Sequence, residues 1–555
     1  MKAASLRTLA FLLALIAVNV LSAFVFFRLD LTQEKRYTLS DATRTMLETL
    51  PGDVHIDVYL TGDLPPAFKR LENAVRETLD EFRAQTGTTL TYRFIDPDAI
   101  TSTDEKAKLI DRLQQRGLLP TNLVANEGGK RTEKLIFPGA VVSYAGKEIP
   151  VLLLKGNKTA SKEDQLNQSY EGVEFQLASA IQKLTQTAEN RRRVGLLYGH
   201  TQVPPSRFAD LLASVQEKYD LFFVDMSKPG PITGIDALLV PKPDKPFSDD
   251  DIFKIDQYVV KGGRALFFVD GQRVDSVSNE GTYAQPLNLN LDNLFFRWGV
   301  RINRDVIKDL SCAPIPLNVG NMGDKPNIQL LPWRFYPLLN NFGNSGNPIV
   351  RNLDMILARF TSSLDTVQAR GIQKIPLLLT SPYTQDLKAP VLISYTEARK
   401  QPDPKTYNGG PKLIACLLEG RFTSLYANQI LPGDPRAAGF TAEGTPSRVL
   451  ICADGDLVIN DVNYRQNQPY PLGFDRFTRT TYANKDFAMN AIDYLVDPDG
   501  VIASRARTVT LRPLDKIRLD SDRTGWQALN LLGPLLLIGL VGVGWQALRR
   551  SRYAR

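Results

Sequence analysis

The feature that most constrains this chain lies near its C-terminal end, where residues 529–548 read LNLLGPLLLIGLVGVGWQAL without a single charge. About twenty apolar residues in an α-helix cross the roughly 30 Å of hydrocarbon in a bilayer. Arg549, Arg550, Arg552 and Arg555 follow the stretch, and Trp526 and Trp545 sit toward its two ends. Arginines gathered beside a span favour the cytoplasmic side, and tryptophans mark the headgroup level. The pattern therefore predicts a membrane helix over 527–548 and a cytoplasmic tail over 549–555.

A second apolar run, residues 9–27, follows Lys2 and Arg7. Ser22-Ala23 offers a weak cleavage site, but Phe24-Val25-Phe26-Phe27 prolongs the run past the apolar core of a signal peptide, which favours an uncleaved anchor. The leading basic residues place residues 1–8 in the cytoplasm. Two spans with both termini inside then put the bulk of the chain in the periplasm of a bacterial inner membrane. Asn19, the strongly polar residue of this run, reads either as a contact with another membrane helix or as a tolerated amide.

The formal charge is +7, from 67 Lys and Arg against 60 Asp and Glu, and Lys2 with the four tail arginines accounts for five of those charges. The body is close to neutral. A nucleic-acid surface needs a concentrated basic face, and the tight basic cluster is only Arg191-Arg192-Arg193 at an expected domain junction, so nucleic acid is excluded as a partner. Of the three cysteines, Cys416 and Cys452 lie in apolar strand-like runs and read as buried thiols, while Cys312 stands apart. No CxxC pair or Cys/His spacing supports zinc or dithiol chemistry.

Between the spans, residues 54–60 alternate Val54, Ile56, Val58 and Leu60 with polar neighbours, as a half-buried strand does. Phe68, Leu71, Val75, Leu79 and Phe82 then recur at helical spacing until Gly87, and residues 88–95 alternate again. Strand, helix, strand at this separation is a βαβ unit. A helix over 104–116, a hairpin around Ala145-Gly146-Lys147 and a helix over 169–184 complete a thioredoxin-like unit, residues 28–187, without redox cysteines. From 188 to 500, strands at 194–197, 221–224, 237–240, 265–269 and 448–452 alternate with helices at 206–218, 249–260 and 487–495. That alternation predicts an open, doubly wound α/β domain. A stretch rich in Pro, Asn and Gly, about 272–446, reads as a long insertion with strands at 375–380, 391–394 and 413–418, and residues 501–526 read as a charged connector.

Ligands of open α/β sheets bind outside the carboxyl ends of the strands, so the residues there carry the candidate site. His200 follows the first strand of the second domain and is a candidate base or ligand contact, although no nucleophile accompanies it and a structural loop histidine is favoured. Asp270 follows the fourth strand, before Gly271. Asp454 and Asp456 flank Gly455 after the last strand; two carboxylates this close can hold a divalent cation, but the EF-hand spacing is missing and Asp-Gly is common turn chemistry. Walker A, GxGxxG, GxSxG and HExxH patterns are all missing, so the expectation is a non-enzyme with no metal and no cofactor. His200, Asp270, Asp454 and Asp456 remain as a candidate crevice for a sugar-like ligand, the second reading. In the C-terminal span, Gly539 and Gly542, with Gly533 and Gly544, offer small-residue contacts to a partner helix.

Several long stretches carry a resemblance: LTQEKRYTLSDATRTMLETL at 31–50, VHIDVYLTGDLPPAFKRLENAVRETLDEFRA at 54–84, LNQSYEGVEFQLASAIQKL at 166–184, NPIVRNLDMILARFTSSLDTV at 347–367, ADGDLV and LRPLDKIRL. They resemble the GldG family of gliding-motility ABC transporter auxiliary proteins, within the wider family of ABC-type auxiliary transport components. Residues 194–271 resemble the α/β domain that this family shares with an intraflagellar transport component and that is related in fold to amidotransferase-like and sugar-binding modules. The resemblance implies a membrane permease and a cytoplasmic ATPase as partners, with further contacts to envelope structures in the periplasm, and it carries over no catalytic motif.

Overall fold

The computed structural model of the chain describes residues 38–506 and 521–553, except for 88, 119, 128–129, 155–161, 188–190, 275, 279, 431–432, 464, 467 and 498–499. The apolar run 9–27 and most of the expected connector lie outside the described residues. The chain divides into two compact units, residues 1–508 and 509–555.

In the first unit, α1 (Asp41–Glu48) starts where the Ser40 side chain accepts from the Thr43 N–H at 3.3 Å. The alternating run forms β1 (Val54–Val58), the helical repeat α2 (Pro66–Thr86), and the second alternation β2 (Leu90–Phe94), which pairs in parallel with β1. Helix α3 (Thr103–Gln115) leads to a hairpin, β3 (Thr121–Glu127) and β4 (Lys130–Ile136), that the sequence pattern had not indicated. Strands β5 (Gly139–Tyr144) and β6 (Lys147–Leu152) form the expected hairpin, turning at Ala145 and Gly146 with φ of 48° and 78°, the left-handed pair of a type I′ turn. The four-stranded sheet has the order β2-β1-β5-β6. Helices α2 and α4 (Lys162–Thr185) bury Leu71, Val75, Leu79, Leu177 and Ile181 in one core with Val54, Ile56 and Val58.

Residues Val501–Ala506 are a short 3₁₀ helix, and Val501 and Ile502 are buried in that same core. The chain returns to the N-terminal sheet before it leaves the unit, where the sequence suggested a connector from 501 onward. Arg351 meets Glu171 of α4 at 2.9 Å, and Arg505 of this return donates to the Pro348 carbonyl at 2.9 Å, so both α4 and the return are tied to the central domain.

The central sheet has ten strands. Strands β7 (Arg193–Tyr198), β8 (Asp220–Asp225), β9 (Ala237–Pro241), β10 (Arg264–Phe268) and the strand Glu443–Cys452 are all parallel, in the spatial order second, first, third, fourth, fifth. This is the flavodoxin-like form of a doubly wound sheet. Successive side chains of a strand point to opposite faces, and both faces are covered. Leu239, Leu266 and Phe268 face α5 (Ala209–Lys218) and α8 (Asn484–Val496), whereas Leu238, Val240 and Phe267 face α6 (Asp249–Val260) and α7 (Asp292–Trp298). Cys416 and Cys452 are both fully buried, on opposite faces of the sheet, and all three thiols are free.

Beyond the parallel strands the sheet becomes mixed. The strand Leu413–Thr423 runs antiparallel to Glu443–Cys452, and Ile372–Leu379 runs antiparallel to it in turn. Among the described residues no α-helix lies between these strands, and a parallel pairing requires a crossover that such connections do not supply. Strands within 272–446 thus extend the main sheet. The rest of that stretch makes a lobe around the long hairpin Cys312–Met322 and Lys325–Leu339, with its own core of Val306, Ile315, Trp333, Phe335 and Ile393.

The second unit is the helix α9 (Arg523–Tyr553). Within Arg523–Arg552 an 18-residue window reaches a mean hydropathy of 1.9, and the helix is long and apolar enough to cross a membrane.

Candidate functional site

The carboxyl ends of the parallel strands and the hairpin lobe enclose a cleft of about 1240 Å³. Its floor is built by three strand ends. After β9, Lys242 adopts a left-handed φ of 41° and donates its N–H to the Phe268 carbonyl at 2.8 Å. After β10 comes Asp270, and after Glu443–Cys452 the chain turns through Asp454-Gly455-Asp456 into a 3₁₀ turn, Gly455–Val458, capped by the Asp454 side chain. Only glycine fits between the carboxylates: a Cβ at Gly455 would lie 2.7 Å from Lys242 Cγ and 3.1 Å from Asp270 Oδ1.

Lys242 Nζ lies 2.7 Å from Asp270 Oδ2 and 2.8 Å from Asp456 Oδ2, and the Gly455 N–H donates to Asp270 Oδ1 at 2.6 Å. The carboxylates of Asp270, Asp454 and Asp456 bring oxygens within 4.8 Å of one another, the one such acidic group among the described residues. The lysine ammonium supplies the positive charge that a bound cation would bring. Asp454 is fully buried and accepts backbone N–H groups from Arg359 and Asp456, each at 2.8 Å. Burial, reinforced by Asp456 and Asp270, holds its carboxyl well above the usual carboxylate range. Burial likewise raises Asp270 against the opposing pull of Lys242. Burial alone would lower the Lys242 pKa, but its two carboxylates outweigh it and keep the ammonium charged.

A second ion cluster stands beside the first. Asp461 accepts from Arg359 Nη1 and Nη2 at 3.3 and 3.2 Å and from Arg207 Nη2 at 3.4 Å. Burial pushes the Asp461 carboxyl up, and the two guanidiniums more than reverse it, leaving the pKa below its ordinary value. Arg359 joins the clusters, its backbone on Asp454 and its side chain on Asp461. Gln272, in the short strand Gln272–Arg273, also lines the cleft; it is 3% exposed, and neither Oε1 nor Nε2 has a hydrogen-bond partner.

Asp270 and Asp456 therefore line the cleft, and Asp454 lies beneath its floor. His200 is not brought to them. Its ring stacks on Phe247 at 4.1 Å, and its Nε2 lies 3.3 Å from Asp251 Oδ2, in the capping box that starts α6. Lys242, Arg359, Asp461 and Gln272 were not read from the sequence. The signal for Lys242 was present, as the first charge after the wholly buried strand β9. In α9, Gly539 and Gly542 lie one helical turn apart, with open space where a Cβ would stand.

A family model described as ABC-type uncharacterized transport system matches residues 191–491, more than half of the chain, and a model described as a domain of unknown function matches residues 33–143. An uncharacterized protein of Borreliella burgdorferi is 22% identical over 422 residues, covering 73% of this chain and 74% of that protein. Among solved structures, the mmIFT52 N-terminal domain aligns over 55% of this chain and 96% of its own, with 11% identity and a TM-score of 0.29. A ThuA-like protein from Parabacteroides merdae aligns over 59% and 94%, with 9% identity and a TM-score of 0.27.

Proposed function

The chain belongs to the family described as ABC-type uncharacterized transport system, and from that premise we propose that it is a non-catalytic auxiliary subunit of an ABC transporter. On this reading it sits in a bacterial inner membrane with both termini cytoplasmic, and its body lies in the periplasm. The observation that carries the proposal is the family match over the central domain, joined in one chain to a helix with the length and hydropathy of a membrane span. Two spans are too few to form a transport pathway alone, so the pathway belongs to a permease partner and the ATP-driven step to a cytoplasmic ATPase. The resemblance of the quoted stretches to GldG-type proteins supports a gliding-motility type of transporter, with envelope structures as further periplasmic partners.

The non-catalytic part of the proposal rests on the floor of the cleft. Asp270 and Asp456 are engaged by Lys242, and Asp454 is closed off beneath them. The N-terminal strand order β2-β1-β5-β6 supports a thioredoxin-like scaffold that serves as a spacer. Motion of the permease would reach the body through α9 and the return at Val501–Ala506, which packs into the N-terminal core.

The test is photo-crosslinking from Leu540 and Val543 in native membranes. A multi-span permease in the adduct is the expected result, and Gly539→Leu with Gly542→Leu should lower its yield. An unchanged yield in that double variant would make α9 a plain anchor.

A further inference from the structure

The two ion clusters of the cleft leave charge of opposite sign. Arg207 and Arg359 share the single carboxylate of Asp461, Asp456 adds a longer-range attraction on Arg359, and exposed Arg476 adds to the positive field at Asp461, so guanidiniums outnumber carboxylates at this pole. Lys242 meets two carboxylates, Asp270 and Asp456, so that pole is negative and accepts hydrogen bonds. Gln272 lines the same cleft with an unpaired donor and an unpaired acceptor, although it is 3% exposed. A buried amide with no partner carries a desolvation penalty that a ligand satisfying both atoms removes.

We propose that this cleft binds a carboxylate-bearing polyol with the chemistry of a uronic-acid saccharide. The carboxylate sits at the arginine pole, where planar guanidinium forks match it. Hydroxyls, which donate and accept at once, satisfy Gln272 and donate to Asp270 and Asp456. The volume of about 1240 Å³ exceeds the roughly 300–1,000 Å³ of ordinary small-molecule pockets, which suits more than one sugar ring. An extended peptide fits less well. The wall strand Cys312–Met322 is at the edge of its sheet, but Pro314 and Pro316 have no N–H with which to add a further strand.

The experiment is calorimetric titration of the full-length protein in detergent with trigalacturonate, neutral galactotriose and an acidic tripeptide. Trigalacturonate should bind, and galactotriose should bind at least tenfold more weakly. Arg476→Ala should weaken trigalacturonate binding about tenfold. Gln272→Met should do the same while leaving Tm unchanged or raised, because it removes the unpaired amide; a purely structural glutamine would instead lower Tm. Equal affinity for the charged and neutral saccharides, preference for the tripeptide, or no binding of trigalacturonate overturns the proposal. Co-purification with a permease does not depend on any of these outcomes, so the two readings fail separately.

Discussion

Two ion clusters a few residues apart follow the same plan with the signs exchanged. At the strand ends one lysine stands between two carboxylates, Asp270 and Asp456; beside it one carboxylate, Asp461, stands between two arginines. Their difference lies in how each handles its surplus. The lysine cluster is built into the sheet, fixed by Gly455 and by β9, β10 and Glu443–Cys452, and its third carboxylate, Asp454, is buried with a raised pKa. The arginine cluster borders open space, and its surplus is available to a ligand. Charge in one cleft can thus be locked by the fold in one place and left in surplus in the next, and composition alone does not separate the two.

The largest effect is expected from Lys242→Met. Removing the cation leaves two carboxylates facing each other, and loss of one partner from a buried ion pair costs about 3 kcal/mol. Chemical denaturation at pH 7 reads it directly; a loss below about 1 kcal/mol would mean that the lysine does not hold the strand ends together.

Next is Asp461→Asn, which leaves Arg207 and Arg359 without their carboxylate and should cost about 2 kcal/mol at neutral pH. The Asp461 pKa is lowered in the fold, so its stabilisation is present above the unfolded value of about 3.9 and is lost as pH falls through the folded value. The gap between wild type and Asp461→Asn should therefore close in acid.

Asp454→Asn sharpens the contrast because its sign is opposite. The asparagine keeps one of the two backbone bonds from Arg359 and Asp456, a loss of about 1 kcal/mol. With the Asp454 pKa raised, its stabilisation is full below about 3.9 and declines as pH rises toward the folded value. Denaturation curves from pH 4 to 8 should show this variant approaching wild type as pH rises. Parallel pH profiles for the two variants would contradict the mirror arrangement. The smallest effect is that of Arg476→Ala, an exposed residue whose loss should change stability by less than about 0.5 kcal/mol in the same assay.

Much of this arrangement is legible in the sequence where a strand has one job. The runs that became β1, β9 and β10 alternate or are uniformly apolar, and the helices between them carry helical spacing. The rule that strand ends carry sites pointed to Asp270, Asp454 and Asp456, of which Asp270 and Asp456 line the cleft and Asp454 lies beneath it. The hairpin lobe was not legible because Pro314, Pro316, Pro326, Pro332 and Pro337 read as strand breakers, yet they lie in a two-stranded hairpin with shifts in register. Arg359 and Asp461 belong to that obscured stretch and to a loop, and they meet only in the fold. His200 fits the structural loop histidine that its sequence favoured over a ligand contact. Its ring packs on Phe247, just before α6, and its Nε2 meets Asp251 in the first turn of that helix, two strands further along the chain.

An auxiliary subunit of an ABC transporter travels with its permease and ATPase. The most direct measurement is affinity purification of the full-length chain from its native membranes in mild detergent, with quantification of the proteins that co-elute. A multi-span permease and an ATPase in fixed proportion to the chain are the predicted result. A monodisperse chain that elutes without either would contradict it.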